Sequence, residues 1–293
     1  MKVKKAIIPL AGLGIRLLPI TKAIPKEMFP IFEKPAIHYV IEECKFSGIE
    51  NFLLITGKGK ESIENYFDYS YELEDKLKKE KKYEYLKKIQ EIYKLGKIYY
   101  TRQKEPKGLG DAILLAKNFV NNEPFVVALA DDIFNYKIPV LKKLIDLFEK
   151  HDGIVMAVKK IAEEKIENYG IIKGEIIKNN LYKVTDLIEK PRKKEAPSNL
   201  AIIGRYILRP EIFDVIPNLK PGKNNEIQLT DAIRELIGKI PIFAFEIEDL
   251  HFDIGNKIDF ILANIYFTSI DKNIKKDLFE KIDDFIKNKK RSL

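Results

Sequence analysis

The run Lys5-Ala6-Ile7-Ile8-Pro9-Leu10 is apolar without the polar alternation of a half-solvated strand, and it breaks into a glycine-bearing turn over residues 11–14. A strand that is apolar on both faces must be covered on both faces, the condition of a parallel sheet held between two helical layers. The pattern recurs at Asn51–Thr56 and at 97–101, 125–130 and 153–158, while 35–46, 110–119 and 140–150 carry apolar residues at helical spacing. Strands alternating with helices predict an α/β chain with a Rossmann-like mixed, mainly parallel sheet flanked by helices. Ligands of such sheets gather beyond the carboxyl ends of the strands, so the loops directly after strands are where chemistry is expected.

The length of 293 residues suits one domain, residues 1–293, with two additions. Residues 58–96 are rich in lysine, glutamate and tyrosine, with apolar Leu73, Leu77, Leu86, Ile89 and Ile92, which predicts a helical insertion. Residues 257–293, with Ile258, Phe260, Ile261, Ile265, Tyr266, Leu278 and Ile282, predict a helical C-terminal tail. Basic and acidic residues, 52 and 44, are interspersed, so the net charge of +8 reads as a solvated surface and no nucleic-acid partner is expected. The lone Cys44 excludes an intramolecular disulfide and a cysteine-cluster metal site, and it fits a reducing cytoplasm. The first apolar run is too brief for a signal peptide or a membrane span, so no membrane partner is expected.

Five segments carry unusual residues. After the first strand, Gly12 and Gly14 let backbone amides approach phosphate oxygens, and Arg16 and Lys26 offer charge to neutralise them. Leu17 stands where a dinucleotide fingerprint has its third glycine, and no Gly-Lys-Ser or Gly-Lys-Thr follows, which excludes a P-loop. Gln103, ahead of Gly108 and Gly110, offers an amide able to read a base, although a helix-entry loop has the same composition. Asp131-Asp132 ends a strand and supplies the oxygen ligands that suit a hard cation, although paired aspartates are equally common in turns; Asp253, taken alone, reads as a helix cap. Glu189-Lys190 pairs a hydroxyl acceptor with a phosphate-binding cation, a pair that is also ordinary on a surface strand. His38, His151 and His251 are scattered and read as surface or packing residues.

Taken in order, these segments are similar to the signature of the sugar-nucleotide pyrophosphorylase superfamily, and Lys26-Glu27-Met28-Phe29-Pro30 resembles its bacterial UTP:glucose-1-phosphate uridylyltransferase branch. The resemblance implies the nucleotide-diphospho-sugar transferase fold, UTP and glucose 1-phosphate as substrates, and a homodimer or homotetramer. It implies nucleotide contacts from Leu10, Ala11, Gly12, Gly14, Arg16 and Lys26, with Gln103 and Gly108 on the uracil. It also implies glucose contacts from Gly170 and Glu189, a phosphate contact from Lys190, and magnesium on Asp131 with Asp253 as a second metal-facing carboxylate. Arg16, Lys26 and Lys190 then form the catalytic set, while 197–206 and 225–232 shape the pocket. Ile15 replaces a usual threonine, Ala130 a proline and Asp132 an apolar residue. Rival readings are a transferase for another base or sugar, such as one using dTTP, a non-catalytic nucleotide-sugar-binding protein, and, last, a nucleic-acid-binding module.

Overall fold

Along β1 (Lys5–Pro9) successive side chains part to opposite faces: Ala6 and Ile8 pack into one core cluster and Ile7 into another. The same period-two division separates Phe52 and Leu54 from Leu53 and Ile55, and Val126 and Ala128 from Phe125 and Val127. Both faces are therefore core, as the unbroken apolar runs require. Helices Ala36–Phe46 and Val140–His151 cover one face through Ile37, Val40, Ile41, Leu141, Leu144 and Phe148. Helices Leu109–Leu114 and Leu229–Arg234 cover the other through Ala112, Ile113, Ala232 and Ile233. Each fully buried side chain of this size contributes about 1.5–3 kcal/mol, which makes the sheet a rigid platform for its loops.

The computed structural model describes residues 2–291. After β1 come β2 (Pro30–Ile31), β3 (Lys34–Pro35), β4 (Asn51–Thr56), β5 (Lys97–Arg102), β6 (Phe125–Ala128), β7 (Asp132–Asn135), β8 (Ile154–Lys160), β9 (Gly170–Lys178), β10 (Leu181–Glu189), β11 (Leu200–Leu208), β12 (Ile242–Glu246) and β13 (Leu250–Asp253). The main sheet has the order β5-β4-β1-β6-β11-β8-β12-β10-β9, and β7 pairs with β13 in a separate ribbon. From β1 the chain steps outward through β4 to β5, then returns to place β6 on the other side of β1. The strand order thus reverses between β1 and β6, where an α/β sheet opens a crevice.

The sheet is less parallel than the sequence predicts. β5-β4, β4-β1, β1-β6 and β8-β12 are parallel, but β6-β11, β11-β8, β12-β10 and β10-β9 are antiparallel. The difference lies in the second half, where β9 and β10 form a hairpin across Asn179-Asn180, with Asn179 in the left-handed region at φ 47°. Such a turn needs only two residues, so no intervening helix announces it. The expected helix at 110–119 is broken into Leu109–Leu114 and Lys117–Val120.

Residues 58–96 hold three helices, Glu61–Phe67, Tyr71–Lys79 and Tyr83–Tyr93, on the crossover from β4 to β5. The tail forms helices Lys257–Ile270 and Lys275–Arg291; Met1 of the expected domain and 292–293 of the expected tail lie outside the described residues. No helix among the described residues is long and apolar enough to cross a membrane.

Candidate active site

The crevice at the strand-order reversal is a cleft of about 380 Å³. Ala11, Gly12, Arg16, Lys26, Gln103, Gly108, Asp131, Gly170, Glu189, Lys190 and Asp253 all line it, so segments far apart in the chain meet around one space. Two expected nucleotide contacts stand apart from the lining. Leu10 is wholly buried in the core and donates its N–H to the Ile55 carbonyl, because it still belongs to the strand's apolar register. Gly14 sits at φ 67° ahead of the short turn Ile15–Leu17, and its carbonyl accepts from the Thr21 hydroxyl at 2.9 Å, so it shapes the loop. Ile15 is largely solvent-exposed on the same loop.

Charge converges at the carboxyl ends of β1 and β6. The Lys26 ammonium reaches the Asp131 carboxylate at 2.5 Å, and the Arg16 guanidinium lies 3.8 Å from the same oxygen. Arg16 donates to Asp253 at 3.1 Å, and Asp253 also accepts from the Tyr169 hydroxyl at 3.2 Å and the Gly255 N–H at 2.9 Å. Burial pushes the Asp131 carboxyl up, but Lys26 and Arg16 outweigh it and hold the group below the usual carboxylate range. Burial likewise works against the Lys26 charge, and Asp131 and Glu27 reverse it. Asp253 lies on β13, in register opposite Asp132 on β7, and does not cap the following helix: Asn256 accepts from the Ile258 and Asp259 N–H groups there.

The other side of the cleft comes from β9 and β10, where Gly170 and Glu189 are register partners. Glu189 accepts from the Thr230 hydroxyl at 2.7 Å and pairs with the Lys190 ammonium at 3.2 Å. A Cβ on Gly170 would stand 3.1 Å from the Glu189 carboxylate, so the glycine keeps that space open. The loop carrying Gly108 is tied to Ile227 by Ile227 N–H to the Lys107 carbonyl and Gly110 N–H to the Ile227 carbonyl, both 2.8 Å.

Several residues at the site have partners that leave no local trace in the sequence, although Gly204 and Arg205 fall within the pocket-shaping stretch 197–206. His251, read as a surface or packing residue, has its Nε2 2.6 Å from Asp132 Oδ1 and is stacked on Phe134. Burial pushes the Asp132 carboxyl up while His251 opposes the shift. Beneath the aspartates, fully buried Arg205 donates to the carbonyls of Leu129 at 2.9 Å, Gly204 at 3.0 Å and Asp132 at 2.7 Å, and to Glu43 at 2.9 Å. Gly204 beside it adopts φ 61°, and an added Cβ would fall 2.0 Å from the Asp132 carboxylate. Gly204→Ala is therefore expected to lower the unfolding free energy by about 1–3 kcal/mol. A urea melt superimposable on that of the parent protein would contradict this.

Known proteins resemble the chain over most of its length. A family model described as "Nucleotidyl transferase" matches residues 5–269. The UTP–glucose-1-phosphate uridylyltransferase of Bacillus subtilis is 47% identical over 277 residues, covering 94% of this chain and 95% of that protein. A crystal structure of a UDP-glucose pyrophosphorylase complexed with UDP-glucose is 42% identical with a TM-score of 0.84, covering 92% of this chain and all of that one. A UTP-bound UGPase from Acinetobacter baumannii is 33% identical with a TM-score of 0.87, covering 96% of this chain and 99% of that one.

Proposed function

The chain belongs to the nucleotidyl transferase family, and we propose that it transfers a uridylyl group from UTP to glucose 1-phosphate, giving UDP-glucose and pyrophosphate. The observation that carries this reading is the single cleft in which Arg16, Lys26, Asp131 and Asp253 face Gly170, Glu189 and Lys190. One side has the charge that a triphosphate needs, and the other has a hydroxyl acceptor beside an ammonium, as a sugar phosphate needs.

A phosphate oxygen of glucose 1-phosphate attacks the α-phosphorus of UTP; the new phosphorus–oxygen bond forms as the bond to the β-phosphate breaks, and pyrophosphate leaves with the electron pair. The attacking oxygen is already an anion, so no general base is required. Catalysis comes from holding the two phosphates in line and neutralising their repulsion, with Arg16 and Lys26 on the triphosphate and Lys190 on the sugar phosphate. Gln103 and Gly108 contact the uracil, and Ala11 and Gly12 contribute backbone to the nucleotide cradle, whose loop Gly14 shapes.

Asp131 and Asp253 fit a magnesium ion. They are hard oxygen donors, and the guanidinium of Arg16 and the ammonium of Lys26 already stand against them as cations. Two carboxylates are few, and a magnesium ion held by them would draw the rest of its shell from phosphate and water. A magnesium ion held there supplies positive charge to the phosphate oxygens. A homodimer or homotetramer working in the cytoplasm completes the proposal; exposed Ile258, Ile261 and Leu262 on the first tail helix offer apolar surface for subunit contact.

Purified protein is expected to release pyrophosphate from UTP only when glucose 1-phosphate and magnesium are both present, and chelation with EDTA is expected to stop release. Undiminished release in EDTA would overturn the metal role. Release independent of the sugar phosphate would overturn the transfer itself.

A further inference from the structure

Gln103, just past β5, borders the cleft, and its surroundings allow its amide only one orientation. Its Nε2 donates to Asp111 Oδ2 at 2.7 Å and to the Gly108 carbonyl at 3.3 Å. An ionised carboxylate only accepts hydrogen bonds, so the contact with Asp111 requires the NH₂ group on that side. Both amide hydrogens are thereby taken up, by the Asp111 carboxylate and the Gly108 carbonyl. The carbonyl oxygen, Oε1, accepts from no described residue, yet no buried side-chain nitrogen or oxygen among the described residues lacks a partner. Oε1 is therefore open, and because Gln103 is 6% exposed and borders the cleft, that opening is toward the cleft.

We propose that Asp111 is a specificity-determining positioning residue: by holding the Gln103 carbonyl toward the cleft, it selects bases that present an imide N–H and rejects those that present a ring acceptor. Uracil and thymine carry a hydrogen on N3 and match Oε1. Cytosine presents the N3 lone pair, which would meet the lone pairs of Oε1. Without Asp111 only the longer contact with the Gly108 carbonyl, at 3.3 Å, holds the NH₂ group, and the weakened hold lets the amide turn and offer Nε2 to cytosine. The frame is stiff enough for one carboxylate to decide this: Asp111 lies in the first turn of helix Leu109–Leu114, whose preceding Gly108 sits at φ 108° with room for no Cβ against the Ile227 carbonyl. The inference rests on the cleft being a nucleoside triphosphate site, and it names the base class that the site accepts.

Calorimetric titration with UTP and with CTP, each with magnesium, tests it on the intact protein and on Asp111→Ala and Asp111→Lys. The readout is the ratio of UTP to CTP affinity within one variant, which partial loss of folded protein leaves unchanged. The ratio is expected to fall about tenfold in Asp111→Ala, the effect of one hydrogen bond gained or lost. It should fall further in Asp111→Lys, whose donor-only side chain turns the amide round. Retention of the parent ratio in both variants overturns the assignment. If the parent protein prefers UTP to CTP yet makes no UDP-glucose, the transferase reading fails and the role of Asp111 is still decided by the ratios; if the parent binds neither nucleotide, both fail.

Discussion

Asp131→Asn is expected to lower turnover about a thousandfold while the protein still unfolds cooperatively. Loss of one carboxylate from a divalent-cation site removes several kcal/mol of charge stabilisation from a reaction that has no general base to fall back on, and about 4 kcal/mol corresponds to that factor. The substitution is nearly isosteric, and the asparagine carbonyl can still accept from the Lys26 ammonium, which now sits 2.5 Å from the Asp131 carboxylate. Structure should therefore survive where chemistry does not. Initial rates at saturating UTP, glucose 1-phosphate and magnesium, alongside a thermal melt, provide the check. Near-parent turnover would remove Asp131 from the mechanism, and loss of the cooperative melt would assign it to folding instead.

The second large effect is structural. Arg205 and Glu43 are both almost wholly buried and joined at 2.9 Å, and Glu43 also accepts the Leu141 N–H at 3.1 Å. Arg205→Met leaves the Glu43 charge in the core and strips donors from the carbonyls of Leu129, Gly204 and Asp132, which frame the aspartate loop. Breaking one side of a buried pair costs about 3–5 kcal/mol, most of it from the charge left behind. The double variant Glu43→Leu with Arg205→Met removes that charge and should recover much of the loss. Urea melts of both variants measure this; a single variant within 1 kcal/mol of the parent, on the order of a surface substitution, would show that the pair does not hold the loop.

What could be read from the chain alone follows from how far its causes reach along it. Gly12 and Arg16, Gln103 and Gly108, and Asp131 each sit beside a strand end that apolar runs mark, so the sequence names these loops of the cleft, whereas the strand ending at Glu189 alternates polar and apolar residues and carries no such run. Leu10 belongs to the first apolar run, and only the resemblance makes it a nucleotide contact; the structure keeps it wholly buried in the core. The partnership of Arg205 with Glu43 spans 162 positions and that of His251 with Asp132 spans 119, and neither leaves a periodic or spaced signal. The antiparallel half of the sheet escaped for a related reason: a two-residue turn at Asn179-Asn180 replaces the helix that would have announced a parallel crossover. Asp111 escaped because its effect is on the orientation of another side chain, which only the contact at 2.7 Å reveals.

One cleft joins a uridine triphosphate to a glucose 1-phosphate. Product analysis by mass, with UTP, dTTP, CTP and ATP each set against glucose 1-phosphate and other sugar 1-phosphates in magnesium, tests that directly. The highest kcat/KM is expected for UTP with glucose 1-phosphate, yielding UDP-glucose and one pyrophosphate per turnover. A higher value for another pair, or no nucleotide sugar from any pair, would contradict it.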